Sequence, residues 1–177
     1  MFGLTYTHWQ HYNNRAYNTT LRMGRIFMRK SCFLFGHADT PESILPAIEK
    51  VVEKHYSQYD IKDFYVGNRG SFDKLAAKAV RNTKQNYPDV RLYLVLAYHP
   101  AEREPDLWGG YDNSYYPPIE GTPRSYAIVA ANQYMIDTAD SIICFVSHFG
   151  NTRKLLEYAK RRQKRDGVTI ENLAEDS

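Results

Sequence analysis

What most restricts the fold of this chain is an alternation. Short apolar runs open through a few polar residues into stretches of helical spacing, and the unit recurs four times. Ser31 to Phe35 runs into Gly36-His37-Ala38-Asp39-Thr40-Pro41, where Thr40 and Pro41 suit a helix cap and first turn. Ile44, Leu45, Ile48, Val51, Val52 and His55 then recur at helical spacing to about Tyr56. Asp63 to Val66 leads through Gly67-Asn68-Arg69-Gly70-Ser71 into a helix carrying Phe72, Leu75, Ala76, Ala79 and Val80. Arg91 to Ala97 is a near-continuous apolar run ending at His99-Pro100, the mark of a parallel strand covered on both faces. Ser141 to Val146 is a fourth strand, followed by His148-Phe149-Gly150-Asn151-Thr152, a long helix to about Arg165, a stop at Gly167 and a short apolar stretch from Val168 to Ile170.

Connections this short between strand and helix demand parallel strands joined by right-handed crossovers. The expected fold is therefore α/β, a Rossmann-like three-layer domain with a mostly parallel sheet of about four to six strands and helices on both faces. With 177 residues, 43% of them apolar, one domain is expected over 30–170, with an irregular extension over 1–29 and a tail over 171–177. Met23 and Met28 stand as alternative starts just before the first strand. Ala101 to Thr122 is rich in Gly, Pro, Trp108 and tyrosines and reads as a long binding loop or lid before helical spacing resumes near Pro123.

The bulk charge excludes little but points away from two classes. Twenty-three basic against 20 acidic residues leave +3, too mild to favour nucleic acid or a membrane surface. No apolar stretch approaches a membrane span, so the cytoplasm is the expected location. Cys32 and Cys144 read as reduced core thiols.

In an open parallel sheet, ligands lie beyond the carboxyl ends of the strands, so the loops at Gly36, Gly67, His99 and His148 should converge. The strongest local pattern is Gly67-Asn68-Arg69-Gly70-Ser71, followed by Asp73, where a strand turns into a helix. Glycines admit close approach of an anion, the helix end favours negative charge, and Arg69 offers a bidentate phosphate contact. The same residues also suit a tight turn with Ser71 as cap. Gly150, Asn151 and Thr152 form a second such start. Gly36, His37 and Asp39 lie between the two. Asp39 and Asp73 are the candidate catalytic carboxylates, for acid–base work or a ribose hydroxyl. No H-x-x-x-H pair or cysteine cluster accompanies His37, His99 and His148, so neither a metal nor another cofactor is expected.

The ordered strings Phe35-Gly36-His37-Ala38-Asp39-Thr40, Phe64 through Asp73, Tyr98-His99-Pro100, Asn132 and Ala139-Asp140-Ser141 resemble the SLOG superfamily, and within it the small YpsA-like bacterial members. The resemblance covers about Ser31 to Arg165. It implies a Rossmann-like fold, a nucleotide-type ligand at the loops named above, and kinship with LOG phosphoribohydrolases and the DNA-processing DprA proteins. Where LOG enzymes carry P-G-G-x-G-T-x-x-E, this chain has Ser147-His148-Phe149-Gly150-Asn151-Thr152-Arg153-Lys154 and lacks the glutamate. The leading expectation is thus a sensor-like module for a nucleotide or nucleotide-derived ligand. The alternative is a nucleoside 5′-monophosphate hydrolase that draws on Asp39 or Asp73. Single-stranded DNA binding through the basic last helix is weaker still, and there is room for a homodimer.

Overall fold

Strand β1 (Lys30–Gly36) is the centre of the sheet because its residues are apolar on both faces. Cys32 and Leu34 point into one core, Phe33 and Phe35 into the other. The computed structural model describes residues 29–102 and 110–175. The expected extension over 1–29 lies outside them except for Arg29, as do Pro105, Trp108 and Gly109 of the long loop. Beside β1 runs β2 (Ile61–Val66), then β3 (Arg91–Val95) and β4 (Asn113–Tyr115). On its other side lie β5 (Ser141–Phe145) and β6 (Thr169–Asn172). Every pairing is parallel, in the order β4-β3-β2-β1-β5-β6. The expected α/β Rossmann-like class is the observed one.

Helices α1 (Leu45–Tyr59) and α2 (Ser71–Asn86) pack together over one face. Helices α3 (Ala127–Thr138) and α4 (Asn151–Asp166) cover the other. The chain steps outward from β1 to β4 and then returns to the far side of β1. The two loops leaving β1 and β5 therefore lead to helices on opposite faces, which is the switch point where a parallel sheet of this kind ordinarily holds a ligand.

Four local expectations are corrected. The stretch from Ala101 to Thr122 is not loop throughout: Asn113–Tyr115 pairs with Tyr93–Val95 as an edge strand. Three residues are too few for a periodic signal, and Pro117 and Pro118 follow at once. The Thr40 hydroxyl does not cap a helix but donates to the His37 carbonyl at 2.7 Å, and α1 begins only at Leu45, after a 3₁₀ turn over Glu42–Ile44. Arg162, one of the cations that make the last helix basic, does not face solvent with the others but is buried. Its guanidinium donates to the carbonyls of Ile136 and Ala139, satisfying the end of α3. The sheet also continues past residue 170, since β6 reaches Asn172 and Leu173 is buried beneath it. Among the described residues no helix is long and apolar enough to cross a membrane.

Candidate functional site at the β1–β5 switch point

The site is built from the backbone up. The His37 N–H extends the β1 ladder by donating to Phe145 O at 3.2 Å. Its carbonyl accepts from Thr40 N at 3.3 Å and from Phe72 N at 3.4 Å, the second being in the first turn of α2. His37 is thereby held at 4% exposure with its ring turned towards the β5 loop. There the His148 ring stacks on it, centroids 3.6 Å apart and planes 11° from parallel. The His148 backbone N–H donates to Nε2 of His37 at 3.3 Å. Nδ1 of His148 lies 3.0 Å from the Phe149 carbonyl, and its Nε2 lies 3.3 Å from Oδ1 of Asp39.

These contacts sort the protons. Burial, then the neighbouring His148, holds His37 below the usual histidine range, which agrees with Nε2 acting as an acceptor. The Phe149 carbonyl and then Asp39 raise His148, and the hydrogen bond to His148 lowers Asp39. The result is a neutral inner imidazole beneath an outer imidazole that shares a proton with a carboxylate. Both members of the outer pair are open to solvent, with side-chain exposures of 52% and 75%.

The two candidate anion-binding starts differ. In the Gly67–Ser71 turn the donors already have partners. Asp73 Oδ2 accepts from Arg69 N at 2.8 Å, and Gly70 N also serves this carboxylate. Ser71 N donates to Ala38 O at 2.9 Å. Asp73 is thus the turn's own internal anion, and burial pushes its carboxyl up to about 6. The glycines here have packing reasons. A Cβ on Gly67 would lie 2.8 Å from Asp73 Oδ2, and one on Gly70 would lie 2.6 Å from the Ala38 backbone. Asn68 and Arg69 are exposed, and the Arg69 guanidinium lies 5.4 Å from the Tyr98 ring centre.

At the head of α4 the situation is reversed. Gly150 has φ +150, a Cβ there would meet nothing within 4 Å, and no side chain caps the helix. Asn151, Thr152, Arg153 and Lys154 follow in the first turn. Arg153 reaches Glu157 at 3.2 Å across one turn. Phe149, just before Gly150, is 94% exposed. With Gly150, Arg153, Lys154 and Arg161 it lines a shallow groove of about 440 Å³.

The fold therefore brings His37, Asp39 and His148 into contact just past the carboxyl ends of β1 and β5, with Gly36 closing β1, while Gly150, Asn151 and Thr152 follow at the head of α4, where Gly150 and Asn151 line the groove beside Phe149. Gly67 to Asp73 flanks the β1 loop through the Ala38–Gly70 contact. His99 stands apart, its ring against Tyr116 at 5.2 Å, in a cleft of about 270 Å³ with Tyr98, Glu102 and Arg124. Sequence reasoning missed two features. One is the exposure of Phe149, because an aromatic residue beside a strand is ordinarily core. The other is a second histidine centre, where His55 Nδ1 lies 3.0 Å from Ser141 Oγ and its Nε2 lies 3.2 Å from Glu171 Oε2. Its helical spacing marked His55 as core but named neither partner, since they lie 86 and 116 residues away.

Neither protein-family models nor curated proteins give a match to this chain.

Proposed function

We propose that the chain binds a nucleotide or nucleotide-derived ligand at the β1–β5 crevice, as a sensor-like module. The observation that carries this reading is the uncapped first turn of α4 at the switch point. Its backbone N–H groups lie behind Gly150, where no Cβ would obstruct a phosphate. Lys154 and Arg153 add positive charge in the same turn, and the open ring of Phe149 offers a face on which a base can stack. Arg69 has a lesser part in this reading than its motif suggested, because its turn is neutralised internally by Asp73.

The Asp39–His148 pair favours a second reading, hydrolysis of a nucleoside monophosphate. A carboxylate held ionised beside a protonatable imidazole, both accessible, supplies the two groups that N-glycosidic cleavage asks for.

A thermal-shift screen against nucleoside mono-, di- and triphosphates, cyclic dinucleotides and adenosine-diphosphate-ribose compounds, run with a chelator and with chromatography for free base, separates the readings. A ligand at about 100 times its dissociation constant should stabilise by roughly 2.7 kcal/mol. A shift with the ligand intact supports the sensor, and released base supports the hydrolase. If nothing in the panel shifts the protein, both fail.

A further inference from the structure

The stacked histidine pair has a feature that nucleotide binding does not require. His148 directs Nδ1 at its neighbour's carbonyl, 3.0 Å from Phe149 O, and this fixes Nε2 as the nitrogen facing the crevice. A backbone carbonyl holding one imidazole nitrogen so that the other presents its lone pair is the usual arrangement behind a metal-bound histidine. That Nε2 stands 3.3 Å from Asp39 Oδ1. Two ligand atoms about 2.0–2.1 Å from a tetrahedral ion lie roughly 3.3–3.4 Å apart, so this gap already has the span of a zinc-class site. His37 completes the set: one ligand atom from each of His37, Asp39 and His148 falls within 4.8 Å of the other two.

We propose that His37, Asp39 and His148 form a binding site for a divalent transition-metal ion of the zinc class at the mouth of the β1–β5 crevice. Two imidazoles and one carboxylate make a donor set of intermediate softness, suited to Zn²⁺, Co²⁺ or Ni²⁺ over Mg²⁺ or Ca²⁺. The ion takes the position of the proton that His148 shares with Asp39. For this the His37 ring turns out of the stack and gives up its hydrogen bond from His148 N, 3.3 Å and long. Three protein ligands leave at least one position for water or for an oxygen of a bound phosphate. The ligands are legible in the sequence only in part: His37-x-Asp39 places two of them on one loop, while the third comes 109 residues later. The expectation of no metal rested on the absence of a helical histidine pair and of cysteines or carboxylates at ligand spacing; a site shared between two strand-end loops needs no such pair, and Asp39, two residues from His37, is a carboxylate within reach.

The proposal shares the crevice of the nucleotide reading but does not depend on it. It is tested by titrating the full chain with Zn²⁺ calorimetrically, and with Co²⁺ by visible absorption, in the absence of any nucleotide. The expected result is one equivalent bound, with cobalt bands of a four- or five-coordinate ion. His148→Ala and Asp39→Ala should each weaken binding 10- to 100-fold or more. Asp39 is exposed, so its variant keeps the fold and decides the matter if His148→Ala is poorly behaved. His8 and His11 offer competing donors elsewhere in the chain. Binding that persists unchanged in both variants assigns the ion to other residues and overturns the proposal, as does the absence of binding at about tenfold molar excess.

Discussion

Two histidine centres lie towards opposite ends of β5, and they use nearly the same chemistry. At the carboxyl ends of β1 and β5, His148 meets Asp39 over the His37 ring. At the amino end of β5, His55 bridges Ser141 and Glu171, and Lys54 reaches the same carboxylate at 3.1 Å. The lower centre has the residue types of a serine–histidine–carboxylate triad, but with the ring nitrogens exchanged, Nδ1 facing the serine and Nε2 the carboxylate. It cannot act as one, because His55 is fully buried and Ser141 is 2% exposed, with no room for a substrate beside the hydroxyl. The upper centre has less regular geometry but opens on a crevice with an uncapped helix start beside it. Access, more than the identity of the hydrogen-bonded groups, sets the two clusters apart. The lower centre ties α1, β5 and β6 together around a buried ring.

That contrast sets the order of the tests. His55→Ala should have the largest effect. It removes a buried ring and takes one partner each from Ser141 and Glu171, the latter keeping Lys54, for a loss of about 2–4 kcal/mol in denaturant unfolding. The folded fraction should still bind ligand at the crevice with unchanged affinity. Gly36→Ala comes next. Its Cβ would lie 2.3 Å from the Phe72 ring, and overpacking of this kind costs about 1–3 kcal/mol. Because Gly36 also precedes His37, this variant should lower both melting temperature and ligand affinity.

A pH series sharpens the comparison further. Asp73 titrates near 6 in the fold against 3.8 for a free carboxyl, raised first by burial. Protons therefore bind the folded form more tightly, and the stability Asp73 contributes is full below about pH 4 and lost as pH rises through about 6. Asp73→Asn removes this dependence, so the parent's stability relative to the variant should fall between pH 4 and 7. His55 runs the other way. Burial holds it below its ordinary 6.5, so its contribution is present above that value and lost as pH falls through the lowered one. Unfolding followed at pH 4, 5, 6 and 7 in the two variants should show slopes of opposite sign. The smallest effect belongs to Asp39→Ala, which should change unfolding by no more than about 0.5 kcal/mol, as befits an exposed side chain, while ligand or metal affinity drops.

How far the sequence alone reaches follows from the same division. The parallel sheet is legible because Phe33, Leu34, Ile142 and Ile143 sit in continuous apolar runs, and only a strand buried on both faces tolerates that. The loops at Gly36 and His148 are legible as neighbours because strand order forces their convergence. What a residue does within a loop is not legible, because it depends on what the other loop brings. Asp73 looked like a candidate catalytic carboxylate, yet its oxygen is committed to the Arg69 N–H four residues back. Gly67 and Gly70 looked like room for an anion, yet their missing side chains are filled by Asp73 and Ala38. β4 escaped because three residues carry no period, and the Ser141–His55–Glu171 contact escaped because its members share no local pattern.

The most direct measurement of the central claim is an amide chemical-shift map recorded in chelator while the chain is titrated with adenosine and guanosine mono- and diphosphates. Saturable shifts should cluster at His148 to Arg153, with smaller ones at Gly36 to Thr40. Saturable shifts confined to the Tyr98–Arg124 cleft, or none with any of the four nucleotides, would contradict a nucleotide site at the β1–β5 switch point.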